Sequence, residues 1–327
     1  MGKRFLHSIV QPNTDLVASA SITPFDLPVN PLSVLLLRLQ LTSVDPAAIA
    51  TYSAIDDAIT QITGVRVLHK GEQIISGSLR DLMVLNAVYQ RAFPGWSHIT
   101  DLNDGVRSLV FPLCLGKRMY DPDSCFPATS RGNLRFEMDA GADGAAYDDI
   151  NFSLEAVELI DSTPTEYLKY VRQARVSVAG QFDAPLPIGN PLLGILLFDT
   201  GLAASSDEVL SWGTVKLLKD NVEQYYPLSD FETLAGMLLN QMGNAFALHA
   251  GHTHLASEGA GAELASDDVV QPLSTGSRGY AYLDFDPLRD GSYEMETAGA
   301  ADLKIRGQGD EATDVRYYPL ERVTARG

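Results

Sequence analysis

The sequence holds only two cysteines in 327 residues, Cys114 and Cys125. Two thiols cannot form the framework of several disulfides found in small secreted domains, and they supply too few ligands for a structural zinc site. We expect two free thiols, with a single disulfide as the alternative. The chain also lacks any run of about 18 apolar residues, the length that a transmembrane helix requires. The sequence therefore predicts no membrane-spanning helix.

Basic residues are scarce, with 24 Lys and Arg against 42 Asp and Glu, so the formal net charge is -18. A nucleic-acid-binding surface needs clustered Lys and Arg, and we therefore expect no direct nucleic-acid binding. The acidic excess favours a soluble surface that resists association through its own charge, and adaptation to a salty setting is the alternative. The first ten residues lack the apolar core of a signal peptide, so we expect the chain to stay in the cytoplasm of the cell that makes it.

Catalytic signatures are also missing, because the sequence contains no GxSxG, HExxH, GxxxxGK[ST] or CxxC motif. We therefore predict that the chain is not an enzyme and carries no organic cofactor. Histidines 249, 252 and 254 are close enough to bind a metal, but no carboxylate or cysteine adjoins them, and we interpret them as part of a loop. Residues 258–279 are small, polar and glycine-rich, and predict a long exposed loop.

Acidic residues flank two loops at corresponding places in the two halves of the chain. Oxygen-rich loops can hold calcium, although neither loop matches the twelve-residue calcium-binding pattern. Solvated hairpin loops are the alternative. A structural calcium ion is therefore the one cofactor that we consider, and its candidate ligands are Asp139, Asp143, Asp284 and Asp286.

Alternating apolar and polar residues predict many short strands. The pattern is clear in residues 35–41, 133–139 and 150–159, where every second residue is apolar. Helix signals are fewer: Asp45 and Pro46 predict a helix over 46–63 that Gly64 ends, and Ser78 opens a second helix as an N-cap. A fuller capping box at residues 229–232 predicts a third.

The second half of the chain repeats the first. The segment NPLSVLLLRLQ at 30–40 returns as NPLLGILLFDT at 190–200, and four further pairs follow in the same order. These pairs are GVRVLHKG with GTVKLLKD, EQII with EQYY, GNLRFEMD (132–139) with GYAYLDFD (279–286), and INFSLEAVEL with DVRYYPLERV. We predict one domain over 1–160 with its first ten residues as an extended arm, a linker with a short helical turn over 161–174, and a second domain over 175–327.

Short strands with regular turn signals and few helices predict an all-β fold. We expect a double jelly roll, meaning two tandem eight-stranded β-sandwiches with short inserted helices. The order of elements over 43–86, 186–201 and 211–236 resembles the double jelly-roll major capsid proteins of tailless icosahedral viruses with an internal membrane, and is most similar to the corticovirus type. The likeness in the order of elements covers most of the chain, but no short motif in it is diagnostic.

That resemblance implies a viral major capsid protein located in the virion. It implies a homotrimer whose six jelly rolls form a pseudo-hexagonal capsomer, and a shell in which capsomers adjoin vertex penton proteins, minor capsid proteins and an internal membrane or its proteins. Members of this group can bind calcium, which gives the four aspartates added weight. Two alternatives stay open from the sequence: a secreted double jelly-roll amidase that processes glycans, and a carbohydrate-binding module.

Overall fold

The structure is a computed structural model that describes residues 4–43, 58–92, 95–96, 106–142, 147–200, 210–242, 279–310 and 312–325. The described chain forms nineteen strands and two helical segments of several turns, and divides into two compact units. The first unit consists mainly of residues 1–168, and the second mainly of residues 169–241 and 277–324.

The first unit contains nine strands and helix α1, in this chain order: β1 (Arg4–Asp15), β2 (Phe25–Asp26), β3 (Leu32–Ser43), β4 (Ile62–His69), β5 (Glu72–Gly77), α1 (Leu79–Gln90), β6 (Gly95–Trp96), β7 (Val106–Cys114), β8 (Leu134–Ala140) and β9 (Tyr147–Ile160). Strand β10 (Glu166–Val171) contains the division between the units. The first sheet has the order β1-β9-β3-β7-β6, and a second has the order β5-β4-β8-β2. The described pairings are antiparallel.

The second unit contains nine strands and helix α2, in this chain order: β11 (Gln173–Val176), β12 (Gly180–Pro185), β13 (Leu192–Phe198), β14 (Thr214–Lys219), β15 (Val222–Glu223), β16 (Ser229–Asp230), α2 (231–242), β17 (Tyr280–Asp284), β18 (Leu303–Gly309) and β19 (Asp314–Thr324). One sheet has the order β11-β19-β13-β17, and the other has the order β12-β18-β14-β15 with β16 also on β14.

The two units share one strand topology. Adding ten to each strand number converts β1-β9-β3-β7 into β11-β19-β13-β17, and β5-β4-β8-β2 into β15-β14-β18-β12. Helices α1 and α2 occupy the same place in the order of elements, and the described part of each has twelve residues. The repetition that the sequence predicts therefore holds at the level of strand pairing.

One of the five predicted pairs is wrong. The segment at 279–286 forms β17, which pairs with β13 and so corresponds to β7, whereas the segment at 132–139 forms β8, which pairs with β4. The true counterpart of β8 is β18, which pairs with β14 and β12. The two segments have similar sequences because any strand with one buried face alternates apolar and polar residues, whatever its place in the sheet. Their similarity therefore does not identify equivalent strands.

A hydrophobic core lies between the two sheets of the second unit. Its buried members come from β13, β17 and β19 of one sheet and from β12, β14 and β18 of the other, with Trp212 and Phe231 fully buried among them. In the first unit the alternating leucines of β3 are fully buried, as are Val65 and Val67 of β4. This arrangement is the sandwich that the strand patterns predict, and such burial is the dominant favourable term in folding.

Local signals explain how the strands and helices begin and end. The β4–β5 and β14–β15 hairpins turn through two residues with positive φ, Lys70-Gly71 and Asp220-Asn221, as type I′ turns require. Ser78 caps α1 as predicted, because its hydroxyl accepts a hydrogen bond from the amide of Asp81 at 3.2 Å.

Two predicted helical segments need correction. In the helix predicted over 46–63, residues 58–61 are helical and residues 44–57 lie outside the described chain. Gly64 lies within β4, just after a register shift that follows Ile62, and the buried positions of that strand alternate from Val65 onward. The predicted linker 161–174 holds strand β10 rather than a helical turn, since Leu168 and Tyr170 alternate as buried positions of a strand. The exact domain boundaries stay a prediction.

Candidate assembly surfaces

The calcium candidate Asp139 lies on β8, with its carboxylate bound to an arginine. Arg66 of β4 donates to both carboxylate oxygens, at 2.5 Å to Oδ2 and 3.1 Å to Oδ1, and the Ser21 hydroxyl donates to Oδ1 at 2.6 Å. The Arg66 guanidinium holds the pKa of this carboxyl below its ordinary value, because it stabilises the charged form. A cation therefore already occupies the oxygens that calcium would need.

Asp284 is the last residue of β17 in the second unit, Asp286 follows that strand, and protein donors also bind both. Arg289 donates to Oδ1 of Asp284 at 2.7 Å, and the amide of Asp286 donates to the same oxygen at 3.0 Å. The fully buried Asp286 accepts from the amide of Gly291 at 2.8 Å. These hydrogen bonds stabilise the turn after β17, and they give both carboxylates a structural role.

Of the four candidate aspartates, the structure describes Asp139, Asp284 and Asp286. Among all the described residues the structure contains no group of three or more His, Cys, Asp or Glu side chains placed to hold a metal. Asp143 and His249, His252 and His254 lie outside the described chain. The calcium assignment therefore stays a prediction.

Both cysteines are free, as the sequence predicts, and the structure shows that both are buried. Burial raises the pKa of the Cys125 thiol to about 12 and raises that of Cys114 further above its ordinary value. Because the thiolate is the reactive form, both side chains behave as small apolar groups in the fold. Across the described residues, the structure also contains no helix that is long and apolar enough to cross a membrane.

Exposed apolar side chains lie on and beside β1, and we call this group the β1 patch: Phe5, Leu6, Ile9 and Tyr120. Phe5 and Ile9 lie on one face of the strand and Leu6 lies on the other, since successive strand residues point to opposite faces. Phe5 and Ile9 are 57% and 67% exposed, and the Phe5 ring packs edge-on against Tyr120 with centroids 5.3 Å apart. Strand β1 is the end strand of its sheet in the described chain. Apolar residues gathered on an exposed edge mark a contact surface or an aggregation hazard.

The second exposed surface lies on helix α2, and we call it the α2 face: Thr233, Gly236, Met237, Leu239 and Asn240. The opposite side of the helix is buried through Phe231, Leu234 and Leu238. Glu232 is the one charged residue among the twelve described residues of α2. A surface helix carries polar or charged residues on its outer side, and Glu232, Thr233 and Asn240 do so here beside the apolar Met237 and Leu239.

Neither surface is predicted from the sequence, because the motifs considered there are those of catalytic and ligand-binding sites rather than those of contact surfaces. The spacing of Phe231, Leu234, Leu238 and Met242 correctly predicts the buried side of α2. The sequence of residues 231–242 also shows that the other side of α2 carries little charge. The β1 patch can be recognised only from the fold, since only the strand order shows that β1 lies at the edge of its sheet.

Comparison with known proteins identifies the fold. No family model matches the sequence, and no curated protein does. Solved structures match over nearly the whole chain. The major capsid protein P2 of bacteriophage PM2 aligns with TM-score 0.61 and 14% identity, over 99% of this chain and 98% of its own. The major capsid protein of Sulfolobus turreted icosahedral virus aligns with TM-score 0.65 and 12% identity, over 98% and 97%.

A third match, with TM-score 0.57 and 10% identity, is the capsid structure of the virus PBCV-1, which covers 98% of this chain and 94% of its own. The chain therefore has the double jelly-roll fold of viral major capsid proteins, and the predicted fold class and resemblance are confirmed. Nothing in these matches favours the amidase or the carbohydrate-binding alternative. The narrower likeness to the corticovirus type stays a prediction.

Proposed function

We propose that this chain is a viral major capsid protein whose copies associate into trimers and tile an icosahedral shell. The observation that supports this most is the match in fold over the whole length of the chain. The P2 structure covers 99% of this chain and 98% of its own length, so the likeness in fold extends over nearly all of both chains.

The repeated topology suits this role for a physical reason. A trimer of a chain with two similar units presents six similar units around its axis, and such a ring has a nearly hexagonal outline. Closed rings arise when one surface of a subunit contacts a different surface of the next. The chain offers two such surfaces, the β1 patch in one unit and the α2 face in the other.

The charge of the chain favours assembly through those surfaces. With a formal charge of -18, copies repel one another wherever carboxylates meet. The centres of protein interfaces are depleted of charged residues and enriched in aromatic residues and methionine. Phe5, Tyr120 and Met237 meet that description and are exposed in the single chain.

The finer partners belong to the same proposal. We infer that the assembled trimers adjoin vertex penton proteins, minor capsid proteins and an internal membrane or its proteins, with the virion as the place of function. Calcium at or between subunits is part of this proposal, through carboxylates that include Asp143.

Light scattering on the purified chain tests the proposal, in buffer with calcium and in buffer with a chelator. A stable species with the mass of three chains, each of 35.4 kDa, supports the capsid assignment. A monomer under both conditions contradicts it. A mass that changes with the chelator would support the calcium prediction in addition.

A further inference from the structure

A hollow of about 490 Å³ lies in the first unit beside the turn between β4 and β5, and we call it the Lys70 hollow. His69 and Lys70 line one part of it. The rest of its polar lining is uncharged: Thr129, Ser130, Asn133, Ser162 and Thr163. The described residues that line it include no Asp or Glu, and the neighbouring Glu72 and Asp161 lie outside that lining. In a chain of net charge -18, hydrogen-bond donors beside a cation indicate a site for an anion.

The second unit has an equivalent turn, which supplies a matched comparison. Lys70 and Asp220 hold the same place, each as the first residue of the turn that follows β4 or β14. The amide of Lys70 donates to the carbonyl of Asn133 at 2.7 Å, and the amide of Asp220 donates to the carbonyl of Asp302 at 2.8 Å. The two turns are therefore anchored alike, and their side chains can be compared directly.

In the second unit the side chains at this place bind groups of the same unit. The Asp220 carboxylate accepts hydrogen bonds from the amides of Ala301 and Asp302 at 2.7 and 3.0 Å. The ammonium of Lys219, the residue before it, donates to the carbonyl of Glu296 at 2.7 Å. A carboxylate of the chain itself therefore occupies this position in the second unit.

In the first unit the corresponding side chains lack such partners. The described residues offer no hydrogen-bond acceptor to the Lys70 ammonium, and His69 packs edge-on against the Phe126 ring with centroids 5.2 Å apart. Burial lowers the pKa of His69, so Lys70 carries the fixed charge near neutral pH. Lys70 has a φ of 52°, which asparagine and aspartate adopt more readily than lysine. The turn thus places a lysine, at a conformational cost, where the second unit has an aspartate.

We propose that the Lys70 hollow binds a phosphate group, with the Lys70 ammonium as its counter-ion and the surrounding hydroxyl and amide groups as hydrogen-bond donors. The ligand takes the place that the Asp220 carboxylate holds in the second unit. A carboxylate has only two acceptor oxygens, and Lys70, Asn133 and the four hydroxyls supply more donors than two oxygens can use. The volume falls within the range of small-molecule sites, so an organic group attached to the phosphate also fits. This inference does not depend on the proposed capsid function.

Thermal melting of the full chain with increasing glycerol phosphate tests the proposal, at an ionic strength held constant with sodium chloride. A ligand that binds the native chain raises the melting temperature once its concentration exceeds Kd. Lys70→Asn removes the charge and keeps the turn, because asparagine suits a positive φ followed by glycine. Lys70→Asp copies the second unit. The matched control is Arg175→Ala, which removes an exposed cation from β11.

We expect the natural chain and Arg175→Ala to bind glycerol phosphate equally. Lys70→Asn should bind it roughly tenfold more weakly, because a hydrogen bond to a charged group is lost, and Lys70→Asp should show no shift. No shift in the natural chain, or an equal shift in Lys70→Asn, overturns the inference. An equal shift with sodium acetate overturns the assignment to phosphate. Each of these failures leaves the proposed capsid function standing.

Co-sedimentation with phosphatidylglycerol vesicles distinguishes the two sources of a phosphate group. Vesicles that sediment the natural chain but not Lys70→Asn identify a lipid headgroup as the ligand. A melting shift with glycerol phosphate and no sedimentation identifies a free organic phosphate, and either result supports the inference.

Ala325 also lines the hollow, and residues 326 and 327, which follow it, lie outside the described chain. The melting experiment is therefore repeated on a variant that lacks these two residues, and we expect the same shift as in the full chain. A shift that appears only after their removal would show that the chain fills the hollow itself, and would overturn the inference.

Discussion

Asn30 donates a hydrogen bond from its side-chain amide to Oε2 of Glu158 at 2.7 Å, just before β3 begins. The second unit repeats this bond, because Asn190 donates to Oε2 of Glu321 at 2.8 Å just before β13. Both glutamates are buried, at 7% and 6% exposed, and lie on the equivalent strands β9 and β19. The repeated Asn-Pro-Leu sequence therefore marks the same hydrogen bond in both units.

Replacing Asn190 with alanine should destabilise the chain. The change removes a donor from the buried Glu321 carboxylate, and a hydrogen bond to a charged group contributes about 1.5–3 kcal/mol. Chemical denaturation followed by fluorescence measures this loss. The control is Asn13→Ala, because exposed Asn13 makes only a long bond of 3.4 Å with Arg38, and we expect a change within about 0.5 kcal/mol. Equal effects of the two changes would show that the Asn190 bond has no special role.

Two glycine-to-alanine changes should act in opposite directions. At Gly194 in β13, a Cβ atom would run into the Tyr282 side chain and lie 2.8 Å from the carbonyl oxygen of Leu283, so we expect a loss of about 3 kcal/mol or failure to fold. Gly236 in α2 has open space around it, and alanine there should stabilise the helix by about 1 kcal/mol. Thermal melting of both variants checks this pair of signs, and a tolerated Gly194→Ala would contradict the packing described here.

The sequence predicted the fold well where one face of an element is buried. The alternation of Leu35, Leu37 and Leu39 marks β3 without ambiguity, and Ser78 fixes the start of α1 through its cap. Such signals are local, because the period of the apolar residues reports the geometry of the element itself. The repeated order of these elements then made the double jelly roll predictable.

The parts that failed depend on distant pairing. The sequence of strand β17 resembles that of β8, and only the hydrogen bonds between β17 and β13 show that its counterpart is β7. The candidate ligand Asp139 was chosen for its type, but its oxygens bind Arg66, which is 73 residues away along the chain. Sequence spacing carries no information on such cross-strand partners until the register is known.

Acid should weaken the second unit through Asp183. Arg306 donates to both of its oxygens, at 2.7 and 3.0 Å, and this bond lowers the pKa of Asp183 below its ordinary value. The ion pair therefore contributes stability above about pH 4, the ordinary range for Asp, and loses it as the pH falls through the lowered pKa.

The variant Asp183→Asn should accordingly be less stable than the natural chain at neutral pH, and its melting temperature should fall less between about pH 4 and pH 2. Asp26→Asn is the control, since its pair with Arg135 is exposed and 3.4 Å long, and should change neither value appreciably. Parallel melting curves for the natural chain and Asp183→Asn across this range would contradict the assigned pair.

The cap at Ser78 offers a simpler test of α1. Ser78→Ala leaves the amide of Asp81 without its side-chain acceptor and should cost about 1 kcal/mol of unfolding free energy. Ser130→Ala, at an exposed turn position, is the control with an expected change near zero. Denaturant titration of both variants measures the difference, and an unchanged midpoint for Ser78→Ala would show that the cap contributes little.

Electron cryo-microscopy of the purified assembled protein tests the central claim most directly. The account predicts particles of three chains with a nearly hexagonal outline, in which six jelly rolls surround the axis. Particles that contain a single chain, or copies related by two-fold symmetry alone, would contradict it.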